Sequence, residues 1–74
     1  PKINVLVVED ESIVSKDIQH SLNKLGYNVV GAAATGEKAL GLAREFKPDI
    51  VLMDIMLKGD MNGIQTAEII LRQR

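Results

Sequence analysis

The sequence lacks several features that would mark common functional classes. Its 74 residues include no cysteine, which excludes a disulfide framework and a thiolate metal site. Two aromatic residues and a formal net charge of −1 provide neither a basic surface nor a stacking surface for nucleic acid. The apolar runs are too short to span a bilayer, and no signal-peptide pattern is present. These absences favour a cytoplasmic protein whose present segment binds neither nucleic acid nor membrane.

The length and the ends of the chain indicate one incomplete domain. Seventy-four residues allow at most one domain, and 46% hydrophobic with 26% charged residues is a globular composition. The chain starts at Pro1 and stops at Arg72-Gln73-Arg74, inside a helical pattern without a Gly or Pro stop signal. We therefore expect residues 1–74 to form only the N-terminal portion of a longer fold.

Short apolar runs alternate with amphipathic segments along the chain. The runs predict strands at Ile3–Val8, Asn28–Ala33 and Ile50–Met53. The first is the nearly continuous apolar run of a strand covered on both faces, and the third is also expected to be buried. The segments between and after them predict three helices. Their expected inner faces are Val14, Ile18, Leu22 and Leu25; Ala39, Leu40, Ala43 and Phe46; and Ile64, Ala67 and Leu71. The order β-α-β-α-β-α implies a parallel sheet with right-handed crossovers and helices on both faces.

Local signals mark where the first two helices begin and end. Gly26 follows the first apolar stripe, as a glycine after a helix C-terminus does. Thr35 is placed to cap the start of the second helix. Pro48 cannot continue that helix and disfavours a helical conformation at its predecessor.

Acidic residues follow two of the predicted strands. Glu9 and Asp10 come after the first strand, and Asp54 comes directly after the third. In open α/β sheets, ligands bind at the carboxyl ends of the strands, so these acids converge if the two strands are neighbours. Carboxylates about 4 Å apart repel by about 4 kcal/mol at an effective dielectric constant near 20, unless a proton or cation intervenes. A hard cation such as Mg²⁺ suits this ligand set, and an aspartate can also form an aspartyl phosphate.

Each acid also has a simpler interpretation. Asp10 could be only the N-cap of the first helix. Glu9 could be a solvated acid, and Asp54 an acid in a surface loop. Spacing alone leaves both sets of interpretations open, because the pairing of the strands is inferred.

Three stretches of the sequence resemble the response regulator receiver family of two-component signalling. They are Val5–Glu11, Pro48–Leu57 and Met61–Ile64. The first resembles that family's first strand and acidic pair, the second its third strand and phosphoacceptor, and the third the turn before its third helix. The resemblance covers the first three of the family's five βα units. It implies a flavodoxin-like, doubly wound parallel sheet, truncated here to strand order 2-1-3.

The resemblance also implies roles for particular residues. Asp54 would accept a phosphoryl group from a sensor histidine kinase or a phosphotransfer protein. Mg²⁺ would be bound directly by Asp10 and Asp54, through a water by Glu9, and by the backbone carbonyl of Met56. Such a domain is a signalling domain, not an enzyme in the usual sense, since it catalyses only its own phosphorylation and dephosphorylation.

Some family features differ or are absent within these residues. The segment Lys58-Gly59-Asp60 replaces a usual proline and lengthens the loop after Asp54 by one residue. The family's hydroxyl residue, lysine and aromatic switch residue belong to its fourth and fifth strands, beyond this segment.

An Mg²⁺-dependent aspartyl phosphatase is an alternative function, although such an enzyme usually has a second Asp where Met56 stands. A receiver-like module that only binds partners is another. His20, the only histidine, lies off the apolar stripe and is expected at the surface.

Overall fold

The structure is a computed structural model that describes residues 2–53. The elements are β1 (Asn4–Val8), α1 (Ser12–Lys24), β2 (Asn28–Ala33), α2 (Gly36–Phe46) and β3 (Ile50–Met53). The predicted third helix lies outside the described residues. Within the described part, no helix is long and apolar enough to cross a membrane.

The three strands form one parallel sheet in the order β2-β1-β3, which confirms the predicted topology. Strand β1 pairs with β3 in unbroken register, from Val5 opposite Ile50 to Val8 opposite Met53. Its pairing with β2 is interrupted, because Val5 lies opposite Val29 whereas Leu6 lies opposite Gly31. Val30 is therefore an extra residue, a β-bulge that the sequence pattern did not predict.

One face of the sheet packs against α2. Side chains of β1, β2 and α2 form the buried cluster Leu6, Val8, Ala33, Ala39 and Ala43, with Leu42, Val51 and Met53 packed against it. At Gly31 the helix comes close to the sheet, since an added Cβ would lie 3.2 Å from Cδ1 of Leu42. A larger residue at that position would force Leu42 to move. The small residue in β2 thus sets how closely α2 approaches.

The opposite face of β1 is covered by α1. Strand alternation places Val5 and Val7 on this face, and both are at most 1% exposed. α1 packs on β1 and β2 and buries Ser15, whose hydroxyl accepts a hydrogen bond from Nε2 of Gln19 at 3.0 Å. Helices therefore lie on both faces of the sheet, as the alternating pattern predicted.

The predicted inner face of α1 is wrong in part. Leu25 is 75% exposed and Val14 is 37% exposed, whereas the buried position is Ser15. Leu25 is the C-cap and lies past the last regular turn, so it does not continue the stripe. The face of α1 that contacts the sheet is therefore centred on the small Ser15, which the predicted apolar stripe did not include.

Two other burial predictions need correction. Phe46 is 41% exposed at the last position of α2, and Leu42 packs against the core although the predicted face omitted it. In β3, Ile50 and Leu52 are each 39% exposed, so this strand is not buried on both faces. α1 packs on β1 and β2, which leaves this side of β3 less covered than β1.

The predicted helix boundaries are confirmed. Oγ1 of Thr35 accepts a hydrogen bond from the backbone N–H of Lys38 at 3.2 Å, as an N-cap does. Gly26 follows the C-cap of α1 with φ of 95°, a conformation that glycine adopts at low cost. α2 ends at Phe46 just before Pro48, and its C-cap Lys47 has a left-handed φ of 45°.

Candidate functional site

The carboxyl edge of the sheet is formed by the ends of its three strands. Val8 ends β1 in register with Ala33 of β2 on one side and Met53 of β3 on the other. Neighbouring strands lie about 4.8 Å apart. Glu9 and Asp10 follow the central strand, so they leave the sheet between the ends of both neighbours.

Glu9 is held to the sheet and to the start of α1. Its backbone N–H donates to the carbonyl oxygen of Ala33 at 2.9 Å, which extends the contact between β1 and β2 by one residue. Its Oε2 accepts a hydrogen bond from the backbone N–H of Glu11 at 3.2 Å. The carboxylate thus contacts the N-cap residue of α1, at the end of the helix where the dipole favours negative charge.

Asp10 is half-buried in the bend between β1 and α1. The simpler interpretation made it the N-cap of α1, but the N-cap is Glu11, which forms no side-chain capping bond. The helix starts at Ser12, and its first turn contains no acid. Capping therefore does not account for the aspartate at this position.

These two acids are oxygen ligands of the kind that Mg²⁺ prefers. A magnesium site usually combines one or two protein carboxylates with waters and phosphate oxygens. Residues 2–53 contain no group of three or more His, Cys, Asp or Glu side chains arranged for a metal. The two acids fit such an ion as part of its ligand set.

Three further residues considered in the sequence analysis are Asp54, Met56 and His20. Asp54 and Met56 lie outside the described residues, so their roles remain predictions. His20 is exposed on α1, which confirms that it is a surface residue.

A polar cluster at the opposite, amino edge of the sheet was not predicted. Asn4 and Asp49 bond to each other twice: the backbone N–H of Asn4 donates to Oδ2 of Asp49 at 2.8 Å, and the backbone N–H of Asp49 donates to the Asn4 carbonyl oxygen at 2.8 Å. Nδ2 of Asn28 donates to Oδ1 of Asn4 at 2.9 Å. The sequence signal was present, because Asn4, Asn28 and Asp49 each stand at or just before the start of a strand.

Comparison with known families supplies a match along almost the whole chain. The family described as response regulator receiver domain matches residues 5–74. The response regulator GacA of Pseudomonas aeruginosa is 44% identical over 73 residues, which is 97% of this chain and 34% of GacA. The chain thus spans about a third of the length of this relative.

Solved structures agree with the sequence match. The response regulator PhyR from Brucella abortus superposes with a TM-score of 0.93 and 35% identity, over 100% of this chain and 30% of that one. A chain of the CheX–CheY–BeF3–Mg²⁺ complex from Borrelia burgdorferi superposes with a TM-score of 0.90 and 30% identity, over 96% of this chain and 54% of that one. These neighbours support the flavodoxin-like fold.

Proposed function

Because the chain belongs to the response regulator receiver domain family, we propose that it accepts a phosphoryl group on Asp54 in a two-component phosphorelay. The donor is a sensor histidine kinase or a phosphotransfer protein, which the receiver meets in the cytoplasm. The observation that carries the proposal is the pairing of Val8 with Met53. It aligns the strand that precedes Glu9 and Asp10 with the strand that precedes Asp54.

The order of residues in the sequence supports the role of Asp54. Asp54 directly follows Met53, which ends β3. The residue after Val8 on the neighbouring strand is Glu9. Asp54 is therefore the first acid in the sequence after β3, as Glu9 is the first after β1.

The proposed metal ligands are those that the family resemblance implies. Asp10 and Asp54 would bind Mg²⁺ directly, Glu9 would act through a water, and Met56 would contribute its backbone carbonyl. The hydrogen bond from the Glu11 N–H holds the Glu9 carboxylate near the start of α1. When bound, Mg²⁺ would neutralise charge on the acids and on the phosphoryl oxygens.

The group transfer forms one bond and breaks one. A carboxylate oxygen of Asp54 attacks phosphorus, an O–P bond forms, and the P–N bond to the donor histidine breaks. The electron pair of the broken bond returns to the imidazole. The product is an aspartyl phosphate, and the transfer requires mainly alignment and charge neutralisation.

The test uses the full-length protein with acetyl phosphate and Mg²⁺, followed by intact-mass measurement. One added phosphoryl group that maps to Asp54 and is lost in base or hydroxylamine supports the proposal. Rapid release of free phosphate with no stable label would instead indicate a phosphatase. An unchanged mass together with intact folding would indicate a binding module and would refute the proposal.

A further inference from the structure

The reciprocal pair at the amino edge lies one position before the first paired residues of β1 and β3. Val5 lies opposite Ile50. The residues that precede them, Asn4 and Asp49, are joined by two hydrogen bonds of 2.8 Å each. One of these bonds connects two backbone groups, and the other uses a carboxylate oxygen of Asp49. The side chain therefore adds a bond between the strands at a position set by the register.

Val51 and Met53 pack against the core, so burial excludes a one-residue slip of β3, but it discriminates less between shifts by two residues. Val5 and Val7 are at most 1% exposed, whereas their partners Ile50 and Leu52 are each 39% exposed. Register is strongly specified where a face is buried and weakly specified where it is not. A shift by two residues would keep the alternation of β3 and move its end by roughly 7 Å along β1.

Both such shifts remove the bond from the Asn4 N–H to Asp49. In the shift toward the carboxyl edge, the Asp49 carboxylate would lie beside Leu6, which is 0% exposed, and an acid without a partner there is costly. In the opposite shift, Asp49 would lie beside Lys2, before the start of β1, and the Asn4 N–H would lose Asp49 as its acceptor. Of the three registers, only the observed one keeps the hydrogen bond from the Asn4 N–H to Asp49.

We propose that Asp49 is a positioning residue that sets the register of β3, and thereby the level of Asp54 relative to Glu9 and Asp10. The chemical consequence rests on the function proposed above. Asp49 lies at the far edge of the sheet and touches neither metal nor phosphoryl group. It acts through the strand that joins it to the phosphoacceptor.

The test compares three variants of the full-length protein. Asp49→Ala removes the acceptor, and Asp49→Asn keeps an oxygen that can accept the same bond. Asn4→Ala is the matched control at the same edge, because it removes only the 2.9 Å bond with Asn28 and keeps the Asn4 backbone. If Asp49→Ala does not fold, Asn4→Pro removes the same donor N–H at the first residue of β1, where proline is tolerated.

The first measurement is hydrogen–deuterium exchange of the peptide that contains β3. We expect roughly fivefold faster exchange in Asp49→Ala, about the effect of losing one hydrogen bond, and near wild-type exchange in Asp49→Asn and Asn4→Ala. Unchanged exchange in Asp49→Ala would overturn the proposal. Equally fast exchange in Asn4→Ala would also overturn the proposal, because the loss of any hydrogen bond at the amino edge would then accelerate exchange in β3.

The second measurement is the rate of labelling by acetyl phosphate across a series of Mg²⁺ concentrations. In Asp49→Ala we expect the Mg²⁺ concentration for half-maximal labelling to rise roughly fivefold, with rescue in Asp49→Asn. Faster exchange without this shift would refute the positioning role and leave the proposed function intact. A wild-type protein that is never labelled would refute the proposed function, while the exchange data would still decide whether Asp49 sets the register.

Discussion

The two edges of the sheet are both polar, but they are built in opposite ways. At the amino edge, Asn4, Asn28 and Asp49 join the three strands by hydrogen bonds of 2.8–2.9 Å. At the carboxyl edge, Glu9 and Asp10 are the first of three consecutive acids. One edge pairs donors with acceptors, and the other concentrates charge of one sign.

Under the proposed function, this difference separates polar residues that support the fold from those that serve chemistry. The bonds at the amino edge link strand to strand, so their loss should reduce stability. Adjacent acids repel one another, and a cation bound beside them would offset that cost. The predictions below test that separation, from the largest expected effect to the smallest.

The largest effect is expected at Asp54, the proposed phosphoacceptor. Asp54→Asn in the full-length protein should abolish labelling by acetyl phosphate or by a kinase, because the carboxylate nucleophile is lost. Intact mass and peptide mapping measure the label. Asp60→Asn is the matched control and should label like the wild type. One phosphoryl group on another residue of this segment after Asp54→Asn would contradict the assignment.

The next effect concerns metal affinity. Asp10→Asn removes one negative charge and should weaken Mg²⁺ binding by about tenfold or more, equivalent to about 1.4 kcal/mol. Titration of the full-length protein with Mg²⁺ measures this affinity. His20→Ala, an exposed change on α1, should leave it unchanged. Equal affinity in Asp10→Asn and the wild type would remove Asp10 from the ligand set.

Both described helices start at the carboxyl edge, and their caps differ. Thr35 caps α2 through its side chain, whereas Glu11 forms no such bond at the start of α1. Thr35→Ala should lower the free energy of unfolding by about 1 kcal/mol, and Glu11→Ala should change it by less than about 0.5 kcal/mol. Urea denaturation of the full-length protein measures both values. A larger loss for Glu11→Ala would show that the start of α1 contributes more to stability than its geometry indicates.

The last prediction concerns the free energy of unfolding, where the direction of a small change distinguishes the two edges of the sheet. Without Mg²⁺, Asp10→Asn should raise the free energy of unfolding by up to about 1 kcal/mol, because it relieves repulsion with the neighbouring acids. Asp49→Ala should lower the free energy of unfolding by about 1 kcal/mol through its lost hydrogen bond. Thermal unfolding of both variants provides the comparison. A loss of stability in Asp10→Asn would mean that the carboxyl edge is also structural.

The topology and several boundaries could be predicted from the sequence because their causes are local. Apolar runs separated by amphipathic segments predicted three parallel strands, and β2 and β3 have the predicted bounds. The cap at Thr35 and the helix end at Gly26 depend on side-chain and backbone properties of single residues. Those signals do not require knowledge of distant contacts.

The errors arose where a distant contact decides the outcome. The bulge at Val30 depends on how β2 pairs with β1. The burial of Ser15 depends on the rotation of α1 over the sheet, and the hydrogen bonds of Asp49 depend on which residue of β1 lies beside it. In the candidate site, the positions of Glu9 and Asp10 at strand ends could be predicted. The role of Glu11 as N-cap could not, because the adjacent acids are interchangeable on sequence grounds alone.

The bulge in β2 has a consequence for anyone who compares or redesigns related sequences. Because Val30 is the extra residue, β2 uses six residues where the paired β1 uses five. Deleting any one residue of β2 would shift Ala33 out of register with Val8 and break its hydrogen bond with the N–H of Glu9. Related chains with this bulge are therefore expected to tolerate substitutions in β2 more readily than changes in its length. An alignment gap there would mark a different pairing of the two strands.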